Sequence, residues 1–386
     1  MSNLGPLHGI KVLELTQFAS GPFAGSLLAD LGADVVKVER SEGGDQMRDW
    51  PPISENTDGE RYSENFASLN RNKRSVALDL KSDDGKSTVL KLVREADVLI
   101  ENYRPGVMKR LGLDYEVIKD YNPRLIYCSI SGYGQSGPYA TRGAFDVTVQ
   151  GLSGLMSVTG EEERGPVKCG VPVGDFCTGL YAAYSIAAML RQVADTGLGA
   201  HLDCSMLGSL IGIAALQTSE YFGTGKTPHA LGTAHPRNAP YQAFEANNGY
   251  FIMAAGNEAL WRKVCHSVNR PELSDDQRFE NQLSRAQNQK ALADILGPEF
   301  LSHSVEHWVA LFDDLGVPCS PIKNYAEVVD DPQVEHLGLV RDIELPNGIK
   351  TRTIAFPVGI TNYDFEISLM PPRLGEHTDE VLSEWL

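Results

Sequence analysis

The chain has 386 residues, of which 42% are hydrophobic and 22% charged, as in ordinary folded globular proteins. It carries 34 Lys and Arg against 51 Asp and Glu, a formal net charge of −17 at pH 7, which argues against general nucleic-acid binding. We expect no membrane span, because no segment approaches ~20 uninterrupted apolar residues, and no secretory signal. The six cysteines form no CxxC pair, so we expect reduced thiols, no metal site and a cytoplasmic location.

Strands and helices alternate through the first half of the sequence. Helices are predicted at residues 23–31 and 83–96, and strands at residues 11–15, 34–39, 76–80, 98–100 and 125–130. Strands separated by helices of this length form parallel sheets that are covered on both faces. The sequence therefore predicts an α/β fold with a Rossmann-like, doubly wound parallel sheet.

A long apolar segment, residues 171–193, predicts a central buried helix, and a strand at 200–204 and a further helix follow it. The Gly- and Pro-rich stretch 223–240 is typical of a linker into a smaller α+β domain, which begins with a hairpin around Asn248-Gly249. The remaining C-terminal segment is expected to return to the first domain. The predicted domains are residues 1–222 with 331–386, and residues 223–330.

Parallel sheets bind ligands in the loops that follow the carboxyl ends of their strands. The first of these loops reads Ser20-Gly-Pro-Phe-Ala-Gly25 and lacks the GxGxxG pattern of dinucleotide-binding proteins, so an NAD-dependent dehydrogenase is not expected. Basic residues collect near the predicted strand ends, which indicates a phosphate-bearing ligand. They are Arg40, Arg71, Lys73, Arg74, Lys81, Arg104 and Arg110.

Asp175 stands at the start of the long apolar helix, directly after Gly174. One interpretation is an ordinary N-cap, since Asp is favoured there for local reasons. The other is a nucleophile, because the helix N-terminus stabilises an ionised carboxylate and the glycine would let a substrate approach closely. The residues by themselves leave both interpretations open.

Three further candidates lie in loops. Tyr133 belongs to the Gly-rich turn at 132–137, which is either a flexible loop or a surface along which an acyl chain approaches the backbone. His235 and Arg237 lie at the predicted domain junction, where they are either structural or bind a substrate carboxylate. Asp146 is another possible site carboxylate, with a weaker signal.

Segments along nearly the whole chain, taken in order, resemble the class III CoA-transferases, the family of formyl-CoA transferase and carnitine CoA-transferase. The matching segments are residues 7–15, 19–23, 32–40, 72–75, 96–106, 131–134, 174–175 and 374–379. The resemblance implies an interlocked homodimer with a Rossmann-type large domain, a smaller domain and an active site between them. It also implies acyl-CoA as substrate, with no metal, redox cofactor or other prosthetic group.

The resemblance assigns roles to single residues. Asp175 matches the nucleophile, which would form an aspartyl-acyl anhydride and then an aspartyl-CoA thioester. Arg40 matches a basic residue near the nucleotide end of CoA. The other positions implied to contact CoA are Phe18, Ala19, Ser20, Leu78, Lys81, Asn102, Tyr103, Arg104 and Arg110.

The segments 232–235 and 240–244 are similar to members acting on short dicarboxylates, notably the succinyl-CoA–glutarate type, in which His235 or Arg237 would bind the distal carboxylate. Two alternatives are kept. Formyl-CoA:oxalate CoA-transferase is disfavoured, because no run of consecutive glycines occurs between Gly223 and Gly256. An α-methylacyl-CoA racemase needs two acid/base groups, and Phe145 stands where the histidine of that enzyme is expected.

Overall fold

The computed structural model describes residues 4–386, which divide into two compact units. Unit 1 contains the chain up to Leu155, Lys168–Thr224 and Pro332–Leu386, and unit 2 contains Met156–Val167 and Gly225–Asp331. The domain boundaries given above stay a prediction.

Up to Ser205, helices separate most of the strands, whereas later in the chain helices and strands also occur in groups of one type. The strands are β1 Lys11–Leu15, β2 Asp34–Glu39, β3 Ile53–Glu55, β4 Arg61–Ser63, β5 Lys73–Ala77, β6 Val98–Glu101, β7 Ile126–Ser131, β8 Ala200–Ser205, β9 Tyr241–Ala246, β10 Gly249–Ala254, β11 Cys319–Pro321, β12 Val340–Glu344 and β13 Lys350–Ile354. The α-helices are α1 Ser20–Asp30, α2 Glu64–Asn70, α3 Asp83–Glu95, α4 Val107–Leu111, α5 Tyr115–Tyr121, α6 Asp146–Leu152, α7 Val173–Thr196, α8 Met206–Ile213, α9 Ala215–Thr224, α10 Glu258–Ser267, α11 Gln282–Gln287, α12 Gln289–Phe300, α13 Val305–Leu315, α14 Tyr325–Val328, α15 Pro332–His336 and α16 Thr378–Trp385.

The centre of unit 1 is a six-stranded parallel sheet in the order β5-β2-β1-β6-β7-β8. The predicted doubly wound parallel sheet is therefore confirmed. Strand order reverses between β1 and β6, so the loops after these two strands flank the point where such sheets bind ligands. Apolar clusters cover both faces of the sheet: Leu13, Leu15, Val36 and Val38 pack into one, and Val12 and Val35 into the other.

Strand β5 begins three residues before the predicted strand at 76–80, because two charged residues at its start are buried rather than exposed. Lys73 Nζ lies 2.8 Å from Glu14 Oε2, and both side chains are fully buried. Arg74 binds Asp34 and, on α16, Glu380 and Glu384. Packing of α16 against β5 is completed by Trp385, whose Nε1 donates to Asp34 Oδ2 at 3.0 Å.

Three of the basic residues that are predicted to bind a ligand form ion pairs within unit 1 instead. Arg71 pairs with Asp30, and both side chains are buried. Lys73 and Arg74 are held by the carboxylates just described. The interpretation of these three residues as a phosphate site is therefore wrong, and the basic residues that remain for a ligand follow the strands instead of preceding them.

Helix α7 covers one face of the sheet, and the expectation that it is buried all round is wrong. Ala182, Ile186 and Val193 pack into the cluster on that face, whereas Leu180 is 52% and Tyr184 64% exposed. By length and composition α7 could cross a membrane, but a helix that packs on a sheet meets the same criterion, and part of α7 is buried inside unit 1. The large side chains of Leu180 and Tyr184 are thus mostly exposed on the outer face of α7.

Unit 2 is built on a three-stranded antiparallel sheet in the order β11-β10-β9. The predicted hairpin is confirmed, since β9 ends at Ala246 and β10 begins at Gly249. Helices α10 to α13 pack around an aromatic core that includes Phe251, Phe300 and Phe312. This unit is therefore α+β in character, with its own apolar core.

Candidate active site

A cavity of about 720 Å³ opens within unit 1 at the carboxyl edge of the parallel sheet. Its walls come from the loops after β1, β6 and β7, from residues 140–147 and from the start of α7. The fold brings together seven of the predicted site residues there: Phe18, Ala19, Ser20, Asn102, Tyr103, Arg104 and Asp175. These residues are up to 157 positions apart in sequence, so only the winding of the sheet joins them.

Asp175 is the third residue of α7, and the N-cap position is taken by Pro172. The interpretation of Asp175 as an N-cap is therefore wrong. Another carboxylate binds the start of this helix, since Asp146 Oδ1 accepts a hydrogen bond of 2.7 Å from the Gly174 N–H. The Asp175 side chain is thereby left to line the cavity.

Burial raises the pKa of Asp175 from its usual 3.8 to about 6, and the charge of Asp146 acts in the same direction. A hydrogen bond with the Ser20 hydroxyl opposes both effects. The helix N-terminus is expected to favour the ionised form of Asp175. The cost of burying this charge is larger, so the pKa is raised rather than lowered. The carboxylate is still ionised above about pH 6, and its raised pKa makes it a stronger nucleophile than an exposed Asp.

Asp146 connects several segments of the cavity wall around Asp175, a role that the sequence does not indicate. It is the first residue of α6, and its Oδ2 accepts a 2.6 Å hydrogen bond from Gln150 Nε2. Gln150 Oε1 in turn accepts from the backbone N–H of Cys169 at 2.8 Å. The chain of contacts joins α6, the segment before α7 and α7 itself. No local pattern signals it, because Asp146 and Gly174 are 28 residues apart.

Asn102 joins the two loops on either side of the strand-order reversal. Its Oδ1 accepts from the Gln17 N–H at 2.9 Å, and its Nδ2 donates to the Gln17 carbonyl at 2.7 Å. Gln17 follows β1 and Asn102 follows β6, so one side-chain amide fixes both cavity loops. That Asn102 also contacts CoA stays a prediction.

A cluster of buried charges lies beneath the loop after β1. Lys37 Nζ lies 3.0 Å from both Glu14 Oε1 and Asp45 Oδ2, and all three side chains are fully buried. Lys37 also donates to the Thr16 carbonyl at 2.9 Å, and Asp45 Oδ1 accepts from the Phe18 N–H at 3.1 Å. Phe18 has a φ of 63°, a conformation that this cluster sustains. The loop that presents Ser20 to Asp175 is therefore rigidly held.

The cavity lining includes both apolar and cationic residues. The rings of Phe18 and Trp50 lie 5.4 Å apart and line the cavity together with Met47. The cationic residues of the lining are Arg104, Arg142 and Lys168. Around one carboxylate, the cavity thus combines surface for an apolar chain with positive charge for an anion.

The other predicted CoA-contacting residues lie outside the cavity lining but on the same edge of the sheet. Arg40 follows β2 and donates to the Gly44 carbonyl, Leu78 and Lys81 follow β5, and Arg110 lies on α4 after β6. Arg40, Lys81 and Arg110 are exposed. The roles of these four residues stay predictions.

The three predicted substrate-binding residues are also outside the cavity lining. Tyr133 packs against the apolar cluster of Val149, Met206 and Leu210, and its ring lies 5.9 Å from that of Tyr139. His235 and Arg237 belong to unit 2, where His235 stacks on Tyr241 and its Nδ1 accepts from the Arg237 N–H at 3.1 Å. Their binding of a substrate carboxylate stays a prediction.

The chain is similar to known proteins over almost its full length. The family model described as CoA-transferase family III matches residues 7–378. The succinate–glutarate CoA-transferase of Agrobacterium fabrum is 39% identical over 98% of this chain and 95% of its own, and the human succinyl-CoA:glutarate CoA-transferase is 40% identical over 100% and 87%. A solved CAIB/BAIF family protein from Brucella suis superposes with a TM-score of 0.88 at 38% identity, covering 99% of this chain and 100% of that one.

Proposed function

This chain belongs to CoA-transferase family III and is a CoA-transferase, and from that premise we propose that it moves CoA from succinyl-CoA, or a similar acyl-CoA, to a short dicarboxylic acid. The observation that carries the proposal is Asp175, an ionisable carboxylate in a cavity at the strand-order reversal of the sheet. Two relatives, which are 39% and 40% identical to this chain, are named as CoA-transferases that act on glutarate and on succinate or succinyl-CoA. Their names support the proposed substrate class.

The first half of the reaction activates Asp175. Its carboxylate oxygen attacks the thioester carbonyl carbon of the donor, the carbon–sulfur bond breaks, and CoA leaves as a thiolate. The thiolate then attacks the Asp175 carboxyl carbon of the anhydride. This second step releases the donor acid and leaves an aspartyl-CoA thioester.

The second half repeats these steps with the acceptor. The acceptor carboxylate attacks the aspartyl-CoA thioester, which gives a new anhydride and frees the CoA thiolate. The thiolate attacks the acceptor acyl carbon, so the new acyl-CoA forms and Asp175 returns as a carboxylate. The reaction includes no oxidation or reduction. It needs no ATP, because each thioester or anhydride bond that breaks is replaced by another activated acyl bond. Water must be kept off both intermediates, and the apolar wall with Phe18 and Trp50 suits this need.

The length of the sheet edge supports binding of an extended CoA molecule. Phe18, Ala19, Ser20, Tyr103 and Arg104 line the cavity and would hold the part of CoA near its sulfur. Arg40, Lys81 and Arg110 are exposed cations after neighbouring strands of the same edge and would bind its phosphates. A local cluster of this kind is required because the whole chain is strongly acidic.

The exposed apolar faces of α7, α8 and α9 support a homodimer. Several large apolar side chains on these helices are exposed, among them Phe222, which is 80% exposed. Surfaces of this kind commonly lie in protein–protein interfaces. Light scattering on the purified protein tests the proposal, and a mass of one chain at micromolar concentration would contradict it.

The transferase proposal is tested by incubating the purified protein with succinyl-CoA and a panel of carboxylates, and by identifying the acyl-CoA products by mass spectrometry. New acyl-CoA species that disappear in Asp175→Ala would support the proposal and name the acceptor. Absence of any exchange would contradict it. Exchange of α-protons with solvent deuterium would then favour the racemase alternative.

A further inference from the structure

We propose that Arg142 binds the distal carboxylate of the dicarboxylic acid, and that Tyr139 and Tyr133 position its guanidinium for this task. The inference rests on the proposed function, because it concerns the acid that exchanges CoA at Asp175. It places the recognition of the acid within unit 1, on the loop between β7 and α6.

The first argument is charge. Arg142 lines the cavity, and no carboxylate of residues 4–386 lies within ion-pair distance of it. The less exposed Arg48 and the buried Arg71 of unit 1 are each neutralised by a carboxylate, whereas Arg142 is exposed at the cavity and has no such partner among the described residues. In a chain with a net charge of −17, an unneutralised guanidinium in a cavity is suited to an anionic ligand.

The second argument is orientation. A turn closed by the Arg142 N–H and the Tyr139 carbonyl, at 2.9 Å, brings the arginine back over the tyrosine. The guanidinium carbon lies 3.8 Å from the centre of the Tyr139 ring. Tyr133 supports that ring edge-on at 5.9 Å. The side chain is thus held in one direction before any ligand binds, which reduces the entropy lost on binding.

The third argument is proximity to the nucleophile. Arg142 is four residues before Asp146, which is hydrogen-bonded to the residue preceding Asp175. Four residues span at most about 14 Å of extended chain, and Arg142 and Asp175 line the same cavity. A dicarboxylic acid with one carboxylate at Asp175 therefore has its other carboxylate within the cavity that Arg142 lines.

Two other cations line the cavity and fit the role less well. Lys168 Nζ already donates to the Cys169 carbonyl at 3.2 Å, and an ammonium group cannot bind a carboxylate in the two-pronged way of a guanidinium. Arg104 follows β6, in the loop that is proposed to hold CoA. Arg142 is the cation of the three that is stacked on an aromatic ring.

The test compares glutarate with its monomethyl ester, which lacks one of the two charges, as acceptors for succinyl-CoA. The ratio of their KM values is measured in wild type and in Arg142→Ala. We expect the wild-type enzyme to prefer glutarate by about ten-fold or more, and the preference to fall to near one in the variant. Arg142→Lys should keep part of the preference, and Tyr139→Phe, which retains the ring, should keep more than Tyr139→Ala.

Binding of free CoA, measured by calorimetry, is the control. It should change less than two-fold in Arg142→Ala, and an equal loss of CoA affinity would overturn the inference by making Arg142 a CoA ligand. An unchanged substrate ratio in Arg142→Ala, or a ratio that falls only when His235 and Arg237 are both replaced by alanine, would also overturn it. If wild type transfers no CoA to any acid, the proposed function fails first, whereas the outcomes above reject the inference alone.

Discussion

Asp146 and Asp175 are two carboxylates that share the start of one helix. Asp146 Oδ1 accepts from the Gly174 N–H at 2.7 Å, one residue before Asp175, and its charge contributes to the raised pKa of Asp175. One carboxylate therefore satisfies the backbone of the helix, and the other is free to face the cavity. The Asp146 side chain that binds the start of the helix therefore also raises the pKa of Asp175.

Replacing Asp175 by asparagine should abolish CoA transfer, because an amide cannot form the anhydride. We expect a loss of at least about 10³-fold in kcat, with binding of CoA retained. The measurement is the rate of glutaryl-CoA formation together with calorimetric titration of CoA. A variant that keeps a tenth of the wild-type rate would show that another group is the nucleophile.

The pH dependence of the reaction should follow Asp175. Its pKa of about 6 means that activity falls as the pH drops through that value and the carboxylate becomes protonated. In Asp146→Asn the neighbouring charge is lost, so the pKa of Asp175 falls and the acid limb of kcat/KM moves to lower pH. If the acid limb of kcat/KM stays at the same pH in Asp146→Asn, the charge of Asp146 has no effect on the ionisation of Asp175.

Asp175→Asn should also stabilise the protein at neutral pH. The folded-state pKa is raised above the ordinary 3.8, so the ionised carboxylate destabilises the folded state above about pH 6, and this penalty disappears below about pH 4. After allowing for partial exposure, we expect a gain of about 1–2 kcal/mol at pH 8. Urea unfolding at both pH values tests this, since a gain of equal size at pH 4 would have another cause.

Lys37→Met should destabilise unit 1, because Glu14 and Asp45 would lose a buried positive partner. Removing one member of a buried ion pair costs about 3–5 kcal/mol. The matched control is Lys119→Met, which breaks an exposed pair with Glu116 and should barely change the free energy of unfolding. Equal effects of the two substitutions in urea unfolding would contradict the importance of the buried cluster.

Gly179 permits the close contact of α1 and α7. A Cβ there would lie 2.9 Å from the Ser20 carbonyl oxygen and 2.9 Å from Phe23, so Gly179→Ala must move the loop that presents Ser20 to Asp175. We expect a loss of about 1–3 kcal/mol in stability and a lower kcat. Gly223→Ala, in α9 with open space around it, should instead stabilise the protein slightly.

The parallel sheet could be predicted from sequence because short segments rich in Val, Leu and Ile alternate with helical segments. Strands β1 and β2 have the predicted bounds, although Glu14 and Lys37 interrupt their apolar residues. The predicted bounds of strand β5 are three residues too late. Lys73 and Arg74 are residue types expected at the surface, although here their charges are paired inside the fold. The strands β3, β4, β12 and β13 are not predicted, since β3 and β4 have only three residues and β12 and β13 consist mostly of charged and polar residues.

Only two arguments predict the candidate site from the sequence: the rule that ligands bind after the carboxyl ends of parallel strands, and the family resemblance. Together they identified Asp175 and the loops of Phe18 and Tyr103, all of which line the cavity. They could not identify the contact of Asp146 with Gly174, nor the stacking of Arg142, because such contacts depend on how distant segments meet.

The packing of α16 on β2 and β5 has a consequence for biosynthesis. Trp385 bonds Asp34 across 351 residues, and Glu384 bonds Arg74 across 310. The edge of the parallel sheet therefore emerges from the ribosome long before the helix that covers it, and the whole of unit 2 is synthesised in between. We expect nascent chains that stop before α16 to bind chaperones and to aggregate, although Asp175 and the cavity loops are already synthesised.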